Sequence, residues 1–487
     1  MKIDRRSFML STAATTAVQA FTGTGLARAQ SEQKQKTSTG GPTSQPNIIL
    51  YLSDQFRWDF VGANGLNGST RTPNIDAMAA HGKNFSSAVT NQPVCGPARS
   101  VLMTSRYATE TGVWHNGIGM SQQLPTLAGE LRKAGYTSNL IGKWHLAPNT
   151  EAKGGGVQYV KPEWRGGFLD LWEGSNGLEH TTHPYEGTIV DGNDKEISYK
   201  DQYRVDFLTD RAEKFLRQKH EKPFFLFVSQ LEPHQQNDLK RMVGPKGSAE
   251  RFRNSAVPPD LRNLPGDWQQ QLPDYYGCCE SIDASVGRIR KILEEENLSE
   301  NTILAFISDH GCHFMTRNQE YKRSTHNSST RIPLIIEGPG FEGAQKIPEM
   351  IGIIDVAPTL LAAASVPIPP SMKGTSAMPL LNDAKAREAW PNKQLIQISE
   401  SMTGRAIRTP DWTYCVADLS GSTKEPASAT YQEYQLYDQR IDPAEQVNLA
   451  GRKEYRETVD GLREELKKLI VASGEPEPTI VTAKLYP

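Results

Sequence analysis

The sequence lacks an excess of charge of either sign: 54 Lys and Arg stand against 56 Asp and Glu in 487 residues. That balance excludes a chain that holds nucleic acid or an anionic membrane through its overall field, so any anion it binds must meet a local cluster of cations. Long apolar runs are missing too. No stretch of about 18 apolar residues follows the N-terminal leader, and no ordinary membrane-spanning helix is expected in the mature protein. Cysteine is scarce and odd in number, at positions 95, 278, 279, 312 and 415. Cys278 and Cys279 are neighbours inside a helical pattern, where a bond between them would be strained, so a disulfide framework does not organise this fold. Burial as small hydrophobes is expected for 278, 279 and 415. No internal repeat is present. What remains, 37% hydrophobic residues with 40 Gly and 31 Pro, is ordinary globular composition. The length suits roughly two to four domains.

At the N-terminus, Arg5-Arg6-Ser7-Phe8-Met9 precedes an Ala/Thr-rich apolar stretch and the small-x-small pattern Ala27-Arg28-Ala29. Residues 1–29 look like a twin-arginine export signal, an address read by the export machinery that leaves no stable membrane anchor. A periplasmic or secreted mature chain is therefore expected. Residues 30–46, rich in polar residues, Gly and Pro, read as a disordered linker.

Four short, almost continuously apolar runs follow: Asn47 to Ser53, Tyr136 to Ile141, Pro223 to Ser229 and Thr302 to Ser308. Runs of that kind are strands covered on both faces. Helical patterns separate them, at Leu124 to Ala134 and Tyr275 to Asn297, which predicts an α/β domain over 47–380 with a mostly parallel sheet. A strand over Pro333 to Ile336 and a helix over Ile354 to Ala364 extend it. The stretch 148–200 shows no clear period and is expected to be an insertion rimming the site. From 381 to 487 short alternating segments (Gln394 to Ile398, Arg405 to Arg408, Trp412 to Val416, Tyr434 to Tyr437) and one late helix predict a smaller α+β domain. That helix spaces Val459, Leu462, Leu466 and Leu469 for packing on the small sheet. Arg405 reads as a surface arginine.

Each of the four strong strands runs straight into residues able to bind metals or anions: Asp54-Gln55, Gly142-Lys143-Trp144-His145, Glu232-Pro233-His234 and Asp309-His310-Gly311. In open α/β sheets ligands bind beyond the carboxyl ends of the strands, so these groups are expected to converge in one crevice. Asp54, Gln55, Asp309 and His310 offer oxygen-rich donors without a thiolate. That set favours Ca²⁺, which tolerates irregular oxygen shells, with Mg²⁺ or Mn²⁺ as alternatives.

The segment Val94-Cys95-Gly96-Pro97-Ala98-Arg99-Ser100 resembles the Cys-x-Pro-x-Arg signature of type I sulfatases, which are alkaline-phosphatase-like enzymes. The resemblance continues through Asp54, Gly-Lys-Trp-His at 142–145, Pro-His at 233–234, Ser-Asp-His-Gly at 308–311 and Lys322. It extends to Asp355-Val-Ala-Pro-Thr-Leu-Leu, Leu436-Tyr437-Asp438, Asp442-Pro443 and Asn448-Leu449. It implies a large mixed, mostly parallel sheet flanked by helices, with an antiparallel sheet plus helix at the C-terminus.

It also implies hydrolysis of sulfate monoesters by a cysteine oxidised to Cα-formylglycine, which requires a formylglycine-generating enzyme during maturation. An aldehyde hydrate attacks sulfur with one hydroxyl and releases sulfate through the other, avoiding the stable ester a serine would keep. By the same resemblance Cys95 is the nucleophile's precursor and a metal ligand with Asp54, Gln55, Asp309 and His310. Arg99 steadies the hydrate, Lys143 and Lys322 neutralise sulfate oxygens, His145 is the base and His234 protonates the leaving alcohol. The family often has Asp at the place of Gln55 and Asn at that of His310, which leaves the metal's identity open. His115, Asn116, His313, Arg323 and His326 are candidate substrate contacts. A sulfated carbohydrate is the expected substrate, from export, from Trp164, Trp172, His180, His183 and Tyr185, and from the Asn318 to Arg323 context. Arylsulfatase and phosphonate or phosphate ester hydrolase are the alternatives within hydrolases; a noncatalytic sulfated-glycan receptor with an unmodified Cys95 is the alternative outside them.

Overall fold

The first strand, Asn-Ile-Ile-Leu-Tyr-Leu-Ser, is buried at all seven positions. Its side chains alternate between two cores: Ile48, Leu50 and Leu52 enter one, Ile49 and Tyr51 the other. Residues Ile303, Ala305 and Ile307 of the fourth strong strand divide from Leu304 and Phe306 in the same way. Such a sheet needs cover on both faces, and helices supply it. The 28-residue helix Trp268–Glu295 lies on one face; Cys95–Thr104, Leu127–Lys133 and Val356–Ala363 lie on the other.

The structure is a computed structural model and describes residues 45–486 except 66–67, 149–158, 422 and 424. The expected signal over 1–29, and the linker up to residue 44, lie outside the described residues.

The large sheet contains β1 (Asn47–Ser53), β2 (Lys83–Phe85), β3 (Thr137–Lys143), β4 (Leu171–Ser175), β5 (Thr182–His183), β6 (Glu186–Asp191) and β7 (Glu196–Lys200). It continues with β8 (Phe224–Gln230), β9 (Thr302–Ser308), β10 (Leu334–Glu337) and β11 (Gln345–Ile347). The strand order is β11-β2-β10-β9-β1-β8-β3-β4-β6-β5, with β7 on β6. From β9 to β4 all neighbours are parallel, and β10 is antiparallel to β9. The four strong strands are thus the sheet's centre, with their carboxyl ends side by side.

The second sheet holds β12 (Gln394–Ile398), β13 (Gly404–Arg408), β14 (Trp412–Ala417), β15 (Thr430–Asp438) and β16 (Thr479–Val481). It is antiparallel up to β15, and β16 joins β15 in parallel. One face packs on the late helix Arg456–Ala472, which buries Val459, Leu466 and Ile470 and half-buries Leu462 and Leu469. On the other face, Ile396, Ile398, Ala406 and Cys415 meet Val89 and Met350. The architecture is therefore the expected mixed α/β sheet with a second, mainly antiparallel one.

Three expectations are corrected. The stretch 148–200 is not simply a rim: β4 to β7 lie within it and widen the large sheet. Their partial exposure, as in β6 and β7, removes the apolar signature that marks central strands. Arg405 is not on the surface. It is wholly buried, with its guanidinium held by Glu475 at 2.8 Å. The helix expected from Ile354 is Val356–Ala363, preceded by a tighter turn over Ile353–Asp355. All five cysteines are free and buried.

Candidate active site

Cys95 is the first residue of the helix Cys95–Thr104, every residue of which is buried. The helix begins where Val94 leaves an extended conformation, and Asn116 Oδ1 accepts the Gly96 N–H at 2.9 Å, taking up one of the donors a helix start leaves unpaired. Cys95 Sγ therefore sits at a positively polarised helix end. It is 3.4 Å from Asp54 Oδ1, 3.2 Å from His310 Nε2 and 3.0 Å from Lys322 Nζ. Burial pushes its thiol pKa up, yet Lys143, Lys322 and His310, with a hydrogen bond from His145, hold it well below the ordinary value.

One turn further along the same helix, Arg99 binds both carboxylates. Its Nη2 lies 3.1 Å from Asp54 Oδ2 and its Nε 3.1 Å from Asp309 Oδ2, while Nη1 donates to the Lys143 carbonyl and to Ser229 Oγ. Asp54 and Asp309 come from the ends of adjacent strands β1 and β9. Burial and a charged Cys95 raise the Asp54 pKa, but Lys143, His234 and Arg99 bring it below the usual range. Asp309 stays raised, through burial and the charge of Asp54. Two buried carboxylates facing one another in this way attract a cation.

Asp54, Cys95, Asp309 and His310 each bring a ligand atom within 4.8 Å of all the others. The donor chemistry fits a divalent ion. His310 turns Nδ1 to the Gly311 carbonyl, 3.0 Å away, which makes Nδ1 the protonated nitrogen and leaves the Nε2 lone pair facing the carboxylates. Burial is the largest influence on its pKa and lowers it, but Asp309 and Cys95 together raise it above the ordinary value, and the carboxylate that draws a proton would equally draw a metal. Gln55 anchors the same cluster from β1: its N–H donates to Asp309 Oδ1 at 3.1 Å, and its Oε1 accepts from Lys322 Nζ at 3.3 Å.

Lys143, at the end of β3, is wholly buried between Asp54 Oδ2 at 2.8 Å and Glu179 Oε1 at 3.0 Å. His145, two residues on, has an unpartnered buried Nδ1. His234 points Nδ1 at the Gln235 carbonyl, so its Nε2 accepts from Lys322 Nζ at 2.9 Å. Lys322 thus meets Gln55, Cys95 and His234 at once. Asp54, Gln55, Cys95, Arg99, Lys143, His145, His234, Asp309, His310 and Lys322 are brought to one crevice.

The five candidate substrate contacts divide. Half-buried Asn116 and His115 lie at the start of the Cys95 helix, and His115 Nδ1 meets the Asn116 carbonyl. Arg323 is held between Glu320 at 2.8 Å and Glu400 at 2.5 Å. His313 and His326 are not brought into the crevice. His313 Nε2 donates to the Lys322 carbonyl at 2.9 Å, and His326 Nε2 meets the Tyr437 hydroxyl at 3.1 Å. Sequence reasoning missed Glu179, Gln235 and Glu400. Glu179 lies four residues beyond the end of β4, so the rule that found the others would have found it had β4 been read as a strand.

A mostly parallel sheet with acidic metal donors and paired lysines beyond its central strand ends defines an alkaline-phosphatase-like hydrolase of anionic esters. Residues 46–366 match the sulfatase family model, and residues 319–472 match that of the N-sulphoglucosamine sulphohydrolase C-terminal region. The chain belongs to the sulfatase family and is a sulfuric ester hydrolase. It is 27% identical to an ulvan-active sulfatase of Formosa agariphila, over 89% of this chain and 82% of that one. With mouse arylsulfatase K it shares 26% identity, over 87% and 79%. A solved chain from the Bacteroides thetaiotaomicron locus for metabolism of multiple glycosaminoglycans has the same fold, with a TM-score of 0.77 at 22% identity over 89% of this chain and 97% of that one. So does a structure in complex with its substrate D-glucosamine-2-N,6-O-disulfate, with a TM-score of 0.71 at 22% identity over 89% and 99%.

Proposed function

We propose that this sulfatase removes sulfate from a sulfated carbohydrate or polysaccharide, as an exported enzyme that uses Cys95 as a formylglycine and Ca²⁺ as its metal. The observation that carries the reading is the surround of Cys95 Sγ, within 3.4 Å of Asp54, His310 and Lys322. Sugar specificity is supported by the ulvan-active relative and by the glucosamine disulfate complex; export is supported by the leader pattern.

Asp54, Gln55, Cys95, Asp309 and His310 hold the metal. When bound, the ion and the oxidised residue 95 supply a Lewis acid and an aldehyde-hydrate nucleophile. Arg99 fixes the two carboxylates relative to residue 95. Lys143 and Lys322 neutralise sulfate oxygens, and preorganised charge of that kind is where most of the rate enhancement originates. His145 would serve as the base beside residue 95. His234 Nε2 is the nitrogen that delivers a proton to the leaving alcohol, once Lys322 Nζ, which donates to it at 2.9 Å, turns to the sulfate; Nδ1 stays fixed on a carbonyl. His115, Asn116 and Arg323 face the leaving group, while His313 acts only through its hold on the Lys322 carbonyl and His326 stands on Tyr437. Residues 47–380 carry the proposed catalytic groups and 381–487 form the C-terminal unit that braces them.

Mass analysis of the Cys95 peptide, from a host with a formylglycine-generating enzyme, is expected to show the aldehyde or its hydrate. The same preparation is expected to release sulfate from members of a sulfated-glycan panel and to hold calcium stoichiometrically by elemental analysis. Release from aryl or phosphonate esters alone would overturn the carbohydrate assignment, and an intact thiol in active protein would overturn the nucleophile.

A further inference from the structure

Glu179 has no place in the family motifs that point to this site, yet it is buried inside it. It belongs to the short helix Leu178–Thr181 after β4, and β4 pairs with β3 so that Ser175 stands opposite Lys143. The register brings Glu179 Oε1 to 3.0 Å from Lys143 Nζ, on top of the Asp54 contact at 2.8 Å. Its second oxygen, Oε2, is buried with no hydrogen-bond partner. Burial pushes the carboxyl pKa up, but Lys143, His145 and His234 outweigh it and keep Glu179 ionised.

We propose that Glu179 is a positioning residue that limits how tightly the site holds sulfate, by keeping part of the Lys143 charge engaged and by standing as a fixed negative charge beside the anion site. The inference rests on the sulfate-binding role given to Lys143 above. Arg99, Lys143 and Lys322 are three cationic groups, and Asp54, Asp309 and Glu179 are three anionic ones. With a divalent ion the cluster carries two net positive charges, which matches a sulfate dianion. Without Glu179 it carries three, and the product would be held by an excess of charge. Asp54 and Asp309 are both committed to Arg99 and to the metal donor set, which leaves Glu179 as the carboxylate free to set this balance. In a buried site one uncompensated charge changes anion affinity by about tenfold or more.

The test is titration of the calcium-loaded full chain with inorganic sulfate by calorimetry, beside steady-state kinetics on a sulfate ester. Glu179→Gln keeps the shape and removes the charge. It is expected to bind sulfate about tenfold more tightly and to lower both kcat and KM, because release slows while capture improves. Glu179→Asp keeps the charge and is expected to bind sulfate within about twofold of the parent. Unchanged or weaker sulfate binding in E179Q overturns the proposal, as does equal tightening in E179D. If E179Q does not fold, tightening in E179D beyond about twofold still overturns it and parental affinity supports it. The sulfate titration does not depend on which ester the enzyme prefers, so failure of the carbohydrate assignment would leave this result standing.

Discussion

His313 shows how a residue can matter to the site from outside it. The ring is wholly buried, its Nε2–H is fixed on the Lys322 carbonyl, and its Nδ1 has no partner. Burial, with Arg317 adding to it, holds its pKa down at about 4. An imidazole depressed in the folded state stabilises the fold fully above its unfolded pKa of about 6.5. That contribution is lost as the pH falls toward the folded value, about 1.4 kcal/mol per unit. Between pH 7 and pH 5 the parent is therefore expected to lose about 2 kcal/mol more than His313→Gln, which keeps a donor for the carbonyl but cannot titrate. Urea unfolding of both proteins at the two pH values measures the difference; equal losses would show that His313 protonates without resistance. The residues legible in the sequence, such as Cys95, Asp54 and Lys322, were legible because a local pattern marks each. Gln235 and Glu400 have no such pattern, since what defines them is a partner far away in the chain, and Glu179 follows a strand that the sequence did not reveal.

At the scale of elements, the carboxyl end of β3 decides where Lys143 stands. Gly142 adopts a φ of +108°, and a Cβ there would run into the Ser229 carbonyl of β8. Gly142 stands opposite Ser229 in the parallel pairing of β3 with β8, one residue before Lys143 reaches Asp54. Gly142→Ala is expected to destabilise the fold on the order of 3 kcal/mol and to abolish turnover, since the backbone must move at the residue before Lys143. Urea unfolding and initial rates check both; a stable, active G142A would mean that the strand end has slack. The same strand was readable in sequence because it is covered on both faces, as were β1, β8 and β9. The strands β4 to β7 were not: β4 is mostly buried but only five residues long and interrupted by Glu173 and Gly174, and β5 to β7 mix wet and dry residues over two to six residues, so no period emerges. The C-terminal sheet lies between these cases: its strands alternate, but β15 runs to nine residues and only four of them, Tyr434 to Tyr437, were read.

At the scale of the whole molecule, the C-terminal sheet belongs to the site as well as to its own core. The turn after β12 carries Ser399, Glu400 and Ser401. Ser399 Oγ accepts from Gln92 of the segment before Cys95, and Ser401 Oγ donates to the Arg323 carbonyl. Glu400 accepts the Asn116 N–H at 2.7 Å and the Arg323 guanidinium at 2.5 Å. Asn116 in turn takes up the Gly96 N–H, so one carboxylate from the second sheet braces both the start of the catalytic helix and the residue next to Lys322. The backbone is strained where these parts meet: Gln55, His145, Arg323 and Glu400 all have φ between 65° and 70°. Strain of that kind persists only where surrounding contacts over-determine it. Glu400→Ala is therefore expected to lower kcat by about tenfold or more, through misplacement of Cys95 and Lys322, while melting within a few degrees of the parent. Matched kinetics and thermal unfolding separate the roles: a lower melting temperature with unchanged kcat would make Glu400 a strut for the fold, whereas lost turnover in a well-folded chain makes the second sheet part of the catalytic apparatus.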